Sequence, residues 1–274
     1  MNNSSSNIVN EQNAADAFTK QSAIFDELYS SNIIIQYKRA RVRNHIEKYL
    51  PPSSNILELN AGTGEDAIYF AGQNHSVHAT DISTGMQLNL KEKVRAAGLN
   101  KLITTEICSF TQLEQLENKG PYDLIFSNFA GLNCTHQLNK VISSFSSLLK
   151  PGGFVTLVIM PGFCLWETLL AFRGNFKTAF RRFKSKNGTS ANVEGVKFLC
   201  WYYRPSYIIN CLKKDFKVLS VEGLCTIVPP SYFENFPRKH VRLYNRLVLL
   251  ENKFKGTWPW KYMGDYFIIS LQKN

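Results

Sequence analysis

A carboxylate, a glycine turn and a second carboxylate lie close together in this 274-residue chain. Glu58 falls in the apolar segment Asn55–Leu59, the turn Asn60-Ala61-Gly62-Thr63-Gly64 follows, and Asp81 closes the next apolar segment. An apolar strand running into a glycine turn and then a helix is where open α/β sheets hold nucleotide-like ligands. Glycine lets the backbone approach a ligand more closely than a Cβ would permit. An acid at the position of Asp81 is placed to accept protons from ribose hydroxyls. The chemistry on offer is the holding of a ribose-bearing ligand, and the charges around the turn bear on which one.

Gly62-Thr63-Gly64-Glu65-Asp66-Ala67 satisfies the G-x-G-x-x-[GA] pattern of dinucleotide sites, in which a diphosphate rests on the N-terminus of the following helix. Here Glu65 and Asp66 occupy that first turn and Glu58 lies just before it. Three carboxylates would repel phosphate, and they suit a ligand carrying an ammonium and a sulfonium. S-adenosylmethionine carries both, beside a ribose and an adenine. An NAD-type oxidoreductase is the competing reading, and a plain strand-to-helix turn with packing glycines is the bland one.

Further motifs bear on the choice. Glu58-Leu59-Asn60-Ala61-Gly62-Thr63-Gly64, Asp81 in His-Ala-Thr-Asp-Ile-Ser, Tyr122-Asp123-Leu124-Ile125-Phe126-Ser127-Asn128 and Leu149-Lys150-Pro151-Gly152-Gly153 follow one another. In this order and spacing they resemble the class I S-adenosylmethionine-dependent methyltransferases, from about residue 37 to the C-terminus. Asn60 stands where that family has its first glycine, and Asn tolerates left-handed backbone angles. The resemblance implies that Glu58 meets the methionine ammonium and that Asn60, Ala61, Gly62 and Gly64 line the methionine and ribose side. It implies Asp81 on the ribose hydroxyls and Ile82 or Met86 on the adenine. After strand 3 the family often has an acid and a small residue for the adenine amine. Cys108, Ser109 and Phe110 stand there, so Ser109 or backbone groups must serve. Asn128 ends strand 4 near the expected position of the transferring methyl. Phe25-Asp26-Glu27-Leu28-Tyr29 resembles an entry segment of small-molecule methyltransferases, with Tyr29 covering the cofactor and Arg39 meeting its carboxylate.

Methyl transfer from a sulfonium needs alignment and exclusion of water more than a base. Candidate catalytic groups are few: His136 after strand 4, and Asn128. His45, His75 and His78 form no metal-ligand spacing with acids, so no metal is expected. No G-x-S-x-G is present for serine hydrolysis.

The elements that position these residues follow from periodicity. Residues 14–29 and 36–50 read as helices. Strands are expected at 55–59, 76–80, 102–106, 122–127 and 154–160, alternating with helices, and further strands at 216–222 and 266–271. Such alternation implies a parallel sheet covered on both faces. The expected fold is α/β and Rossmann-like, a seven-stranded mixed sheet with a helical substrate-cover insertion. The resemblance adds that the last strand enters antiparallel between the fifth and sixth. The division is 1–50 as an N-terminal helical segment with 1–13 disordered, 51–160 as the cofactor core, 161–204 as a basic helical lid, and 205–274 as the completion of the sheet with a helical insertion.

A hydrophobic content of 44% with 19% charged residues is that of a globular chain. Six scattered cysteines without a C-x-x-C, and no apolar leader, point to the cytoplasm. The formal net charge of +11 is uneven: residues 51–160 sum to −2 and residues 161–204 to +6. Residues 163–184 read as one lid helix with an apolar face at Leu165, Leu169, Phe172, Phe176, Phe180 and Phe183, a face that packs on the sheet domain if the flanking charges are merely solvated. Arg173, Lys177, Arg181, Arg182 and Lys184 flank that face. They are either solvated, or they meet an anionic small-molecule substrate, or they touch an anionic membrane transiently. Asn128 lacks the following prolines of base-amine methyltransferases, which argues against nucleic acid. Both an RNA-directed methyltransferase and a non-catalytic S-adenosylmethionine-binding protein stay open as readings of the whole chain.

Overall fold

A computed structural model describes residues 3–274, and for 3–6 and 184–186 the backbone alone. The elements are α1 (Asn3–Ser30), α2 (Ile33–Ile46), β1 (Asn55–Leu59), α3 (Glu65–Gly72), β2 (Ser76–Asp81), α4 (Thr84–Ala96), β3 (Ile103–Ile107), β4 (Tyr122–Ser127), α5 (Leu138–Ser143), α6 (Phe145–Leu148) and β5 (Leu149–Ile159). After them come α7 (Leu165–Leu169), α8 (Phe176–Phe180), β6 (Thr189–Val193), β7 (Val196–Cys200), α9 (Pro205–Leu212), β8 (Phe216–Leu224), α10 (Phe236–Lys239), α11 (Val241–Phe254) and β9 (Tyr266–Lys273).

Seven strands form one sheet in the order β3-β2-β1-β4-β5-β9-β8. β1 to β5 pair parallel, and β9 lies antiparallel to both β5 and β8. This is the Rossmann-like mixed sheet that the motifs imply. Neighbouring residues of a strand point to opposite faces. Ile56 and Phe126 pack with Val42, Phe70 and Leu90 of α2, α3 and α4, whereas Leu57 and Ile125 pack with Val141, Phe145 and Ile208 of α5, α6 and α9. Both faces are covered, so the central strands read as apolar runs without alternation. The strand order reverses between β1 and β4, and ligands of open α/β sheets bind beyond the strand ends at such a point.

Three expectations need correction. Residues 3–13 are helical and continuous with the rest of α1, not disordered; Met1 and Asn2 lie outside the described residues. Polar side chains anchor this part of the helix. Asn10 Nδ2 donates to the Cys134 carbonyl at 2.8 Å, and the Leu199 amide donates to Asn10 Oδ1 at 2.6 Å. Nor do residues 163–184 form one helix. Gly174 takes a left-handed φ of +76° and Asn175 caps the next turn through its side chain, which separates α7 from α8. Leu169, Phe172, Phe176, Phe180 and Phe183 are consequently exposed, not packed on the sheet domain. Finally, the 161–204 segment is not wholly helical, because β6 and β7 form an antiparallel hairpin within it. Phe198 and Cys200 of β7 pack against Ala14 and Ala17 of α1.

Candidate active site

The turn after β1 is held by contacts that require its unusual backbone. Asn60 adopts a left-handed φ of +46°, Gly62 +57° and Gly64 +81°. Asn60 Nδ2 donates to the Asn128 carbonyl at 2.9 Å, and Ser127 Oγ donates to Asn60 Oδ1 at 2.6 Å. The asparagine thus keeps the glycine-like angle and ties the ends of β1 and β4 together. A Cβ on Gly64 would lie 1.9 Å from Leu90 Cδ1, so α4 packs directly on the turn. At Gly62 the same construction meets nothing within 4 Å. Its amide donates to Asp81 Oδ2 at 2.9 Å, while the Ser83 amide donates to Asp81 Oδ1 at 2.8 Å. Burial raises the Asp81 pKa, against the lowering effect of these amides.

The carboxylates around the turn are not equivalent. Asp66 is buried and fully engaged: Arg39 Nη1 donates to Oδ2 at 2.8 Å, Arg43 Nε to Oδ1 at 2.7 Å and Asn128 Nδ2 to Oδ2 at 2.8 Å. Glu65 is paired with Lys93. Neither is a free negative charge, so neither opposes a diphosphate as the sequence alone suggests. Glu58 is different. It is 3% exposed, and its Oε2 has no hydrogen-bond partner among the described residues. Burial, and then the neighbouring Asp66, push its pKa well above the usual carboxylate range.

Helix α1 closes the other side. Ser109 Oγ and Thr111 Oγ1 each donate to Glu11 Oε2 at 2.7 Å, so α1 brings a buried carboxylate to the end of β3. Thr19 and Ser83 share a hydroxyl hydrogen bond of 2.8 Å, and Thr63 Oγ1 donates to Asp26 Oδ1 at 2.5 Å. Between α1 and the strand ends lies a cleft, with Glu58 and Asp81 on its sheet side and Phe18 and Phe25 on its helix side. Phe129 forms a further wall. It takes a left-handed φ of +47°, and the Arg39 guanidinium lies 4.9 Å from its ring centre.

Comparison with known proteins gives this cleft its context. Residues 56–153, which hold the turn, Asp81 and Asn128, match the model of a methyltransferase domain. A 181-residue stretch is 29% identical to a hybrid PKS-NRPS synthetase, mycA, of Thermothelomyces thermophilus, covering 60% of this chain but 4% of that protein. Among solved structures, the fold is similar to that of a 1,6-didemethyltoxoflavin-N1-methyltransferase of Burkholderia thailandensis with bound S-adenosylhomocysteine (TM-score 0.57, 12% identity, 96% of this chain and 88% of that one). It is also similar to that of geranyl diphosphate C-methyltransferase from Streptomyces coelicolor (TM-score 0.55, 11% identity, 86% and 79%). Residues 56–153 thus form a methyltransferase domain, on a fold shared with S-adenosylmethionine-dependent methyltransferases. A methyltransferase domain with this fold takes S-adenosylmethionine as its cofactor and favours that reading of the cleft over the oxidoreductase one.

In this methyltransferase the structure gathers most residues singled out from sequence. Glu58, Asn60, Ala61, Gly62, Asp81, Ile82, Met86, Ser109, Phe110 and Asn128 all line the one cleft, as does Arg39. Gly64 lies behind it against Leu90. Cys108 points away, its thiol toward the Ser109 and Gln112 carbonyls. Tyr29 is not part of the lining; Phe25, one turn earlier in α1, is. His136 is not part of it either and packs on Trp201, with 5.4 Å between ring centres. Glu11 escapes the sequence reading. Its signal is a polar stripe, Asn7, Asn10 and Glu11, at helical spacing.

Proposed function

We propose that this methyltransferase transfers the methyl group of S-adenosylmethionine to a small-molecule acceptor, anionic or lipid-like, by in-line displacement. The unpartnered, buried oxygen of Glu58 carries the reading. A buried carboxylate without a partner is unfavourable unless a cation completes it, and the ammonium of the cofactor is such a cation. When bound, the cofactor supplies a methyl group already activated on a sulfonium.

The chain's own residues then hold, orient and exclude water. Asp81, oriented by the Gly62 and Ser83 amides, takes the ribose hydroxyls. Ile82, Met86 and Phe110 flank the adenine, and Glu11 with Ser109 stands at its edge in place of the acid missing after β3. Arg39, held by Asp66, offers a cation to a carboxylate. Asn128 and Phe129 flank the reacting atoms, and α1 shields the cleft from solvent. No general base is assigned, because His136 lies off the cleft. The two methyltransferases of similar fold act on small molecules, which supports the acceptor class. Six free thiols support a reducing compartment, the cytoplasm.

Calorimetry with S-adenosylmethionine, S-adenosylhomocysteine and NAD tests the cleft, and transfer of labelled methyl to fractions of a cell extract tests catalysis. Binding of NAD alone would overturn the cleft assignment. Donor binding with no label taken up by any fraction would leave a non-catalytic binder. Glu11→Ala strands the hydroxyls of Ser109 and Thr111. It is expected to weaken donor binding by about 10-fold and to speed hydrogen exchange in residues 7–30, with residues 55–81 unchanged. Unaltered affinity and exchange would remove α1 from the site.

A further inference from the structure

The segments 161–183 and 236–263 lie side by side. Leu165, Trp166 and Leu169 line one shallow groove with Leu250, Phe254 and Trp260, and the Leu165 amide donates to the Met263 carbonyl at 3.0 Å. Along the two segments that form this groove, apolar side chains project into solvent: Phe172 is 89% exposed, Trp258 80%, Leu249 70% and Phe176 60%. Single exposed hydrophobics are ordinary, but a group rimmed by polar residues marks an interaction site.

The charge of this face has one sign. Glu167 and Glu251 are the only acids in the two segments, and each is 1% exposed. Glu167 is bonded to Arg181 and Arg182, and Glu251 accepts the amides of Cys225, Thr226, Ile227 and Val228. Arg173, Lys177, Arg242, Arg246 and Lys253 are exposed. On α11, Tyr244 and Glu251 face inward, while Leu243, Arg246, Leu250 and Lys253 follow one another on the outer face. A merely solvated helix face has no reason to carry leucines. Protein interfaces are depleted in lysine and seat their aromatic anchors in pockets, whereas here Phe172 and Trp258 protrude. Aromatic and leucine side chains set among lysine and arginine, without acids, suit the headgroup layer of an anionic bilayer.

We propose that this face docks the protein peripherally on an anionic membrane surface. No helix among the described residues is long and apolar enough to cross one. The inference rests on the lipid-like acceptor class proposed above and gives it a location, but its test needs no methyl donor.

Full-length protein is floated with phosphatidylcholine vesicles and with vesicles containing phosphatidylserine. Binding to the second and not the first is expected, falling as salt rises. The variant Arg173→Glu, Lys177→Glu, Arg246→Glu, Lys253→Glu is expected to lose about 100-fold or more in partitioning. Phe172→Ser with Trp258→Ser should lose anionic-vesicle binding while its circular dichroism and donor affinity match wild type. Equal partitioning to both vesicle types, unchanged binding by either variant, or no vesicle binding beside a saturable complex with an acidic carrier protein would each overturn the proposal. Donor calorimetry on the same samples separates that outcome from failure of the methyltransferase assignment.

Discussion

Glu58→Gln is expected to weaken S-adenosylmethionine binding by about 30-fold or more and, in the same protein, to raise the melting temperature of the unliganded form. The first effect follows from removing one partner of a desolvated ion pair, typically about 2–5 kcal/mol. The second follows from the unpaired state of Glu58 in the free protein, where burial and Asp66 raise its pKa. A carboxyl whose folded pKa lies above its unfolded value burdens the native state when ionised. Stability of the free protein therefore falls as pH rises from the ordinary carboxylate range through the raised value, and glutamine removes that dependence. An increase of about 2–4 °C corresponds to ~1 kcal/mol in a domain of this size. Donor affinity runs the other way. It should rise as Glu58 ionises, beginning at higher pH than an ordinary glutamate would give, and be flat over that range in the variant. Calorimetry and thermal melts across pH 4–8, an order-of-magnitude span around the carboxylate range, check both. A variant that binds the donor as tightly as wild type would remove Glu58 from the site.

Arg182→Met is expected to destabilise the protein by about 3–5 kcal/mol, the usual consequence of opening a buried ion pair from one side. Arg182 Nη2 donates to Glu167 Oε1 at 2.6 Å and to Asp265 Oδ1 at 2.8 Å, and Nη1 donates to the Asp265 carbonyl at 2.9 Å. The arginine and Glu167 are both 2% exposed at the side chain. Burial alone would raise the Glu167 pKa, and the hydrogen bonds from Arg181 and Arg182 more than reverse it. That carboxyl's contribution is present above its unfolded pKa and is lost as pH falls through the lowered folded value. Arg182→Lys should fall between wild type and methionine, because an ammonium lacks the fork that reaches Glu167 and Asp265 together. Lys177→Ala, at an exposed position, should stay within about 0.5 kcal/mol of wild type. Chemical denaturation measures all three, and a methionine variant within ~1 kcal/mol of wild type would contradict the account. Arg181 and Arg182 are thereby structural, and among the described residues of 163–183 the exposed cations without an ion pair are Arg173 and Lys177.

The readable parts of the sequence are those where local rules and tertiary context agree. β1, β2 and β4 are apolar runs bounded by turn residues, and a sheet buried on both faces demands such runs. The Asn60–Gly64 turn announces itself because its backbone angles restrict residue type. α1 is hidden for the opposite reason. Its early buried positions are Asn7, Asn10 and Glu11, and a polar stripe satisfied by partners far along the chain looks like a solvated one. The lid misleads because Leu169, Phe172, Phe176, Phe180 and Phe183 keep helical spacing across Gly174, and periodicity cannot tell whether a left-handed residue ends the helix there. Glu65 and Asp66 do stand at the turn, but their cations come from α4 and α2, contacts that no local window contains.

The two amino-terminal helices find their partners late in the chain. Arg41 of α2 donates to Glu222 at 3.1 Å, His45 bonds Ser270 at 2.9 Å, and α1 holds Leu199 through Asn10. Both helices also rest on nearer elements, α1 through Thr19 on Ser83 and α2 through Arg39 on Asp66, so they join the early strands to the late ones. Arg39 and Glu11 ride on them, so a change at β7, β8 or β9 reaches the cleft through the two helices that wall it.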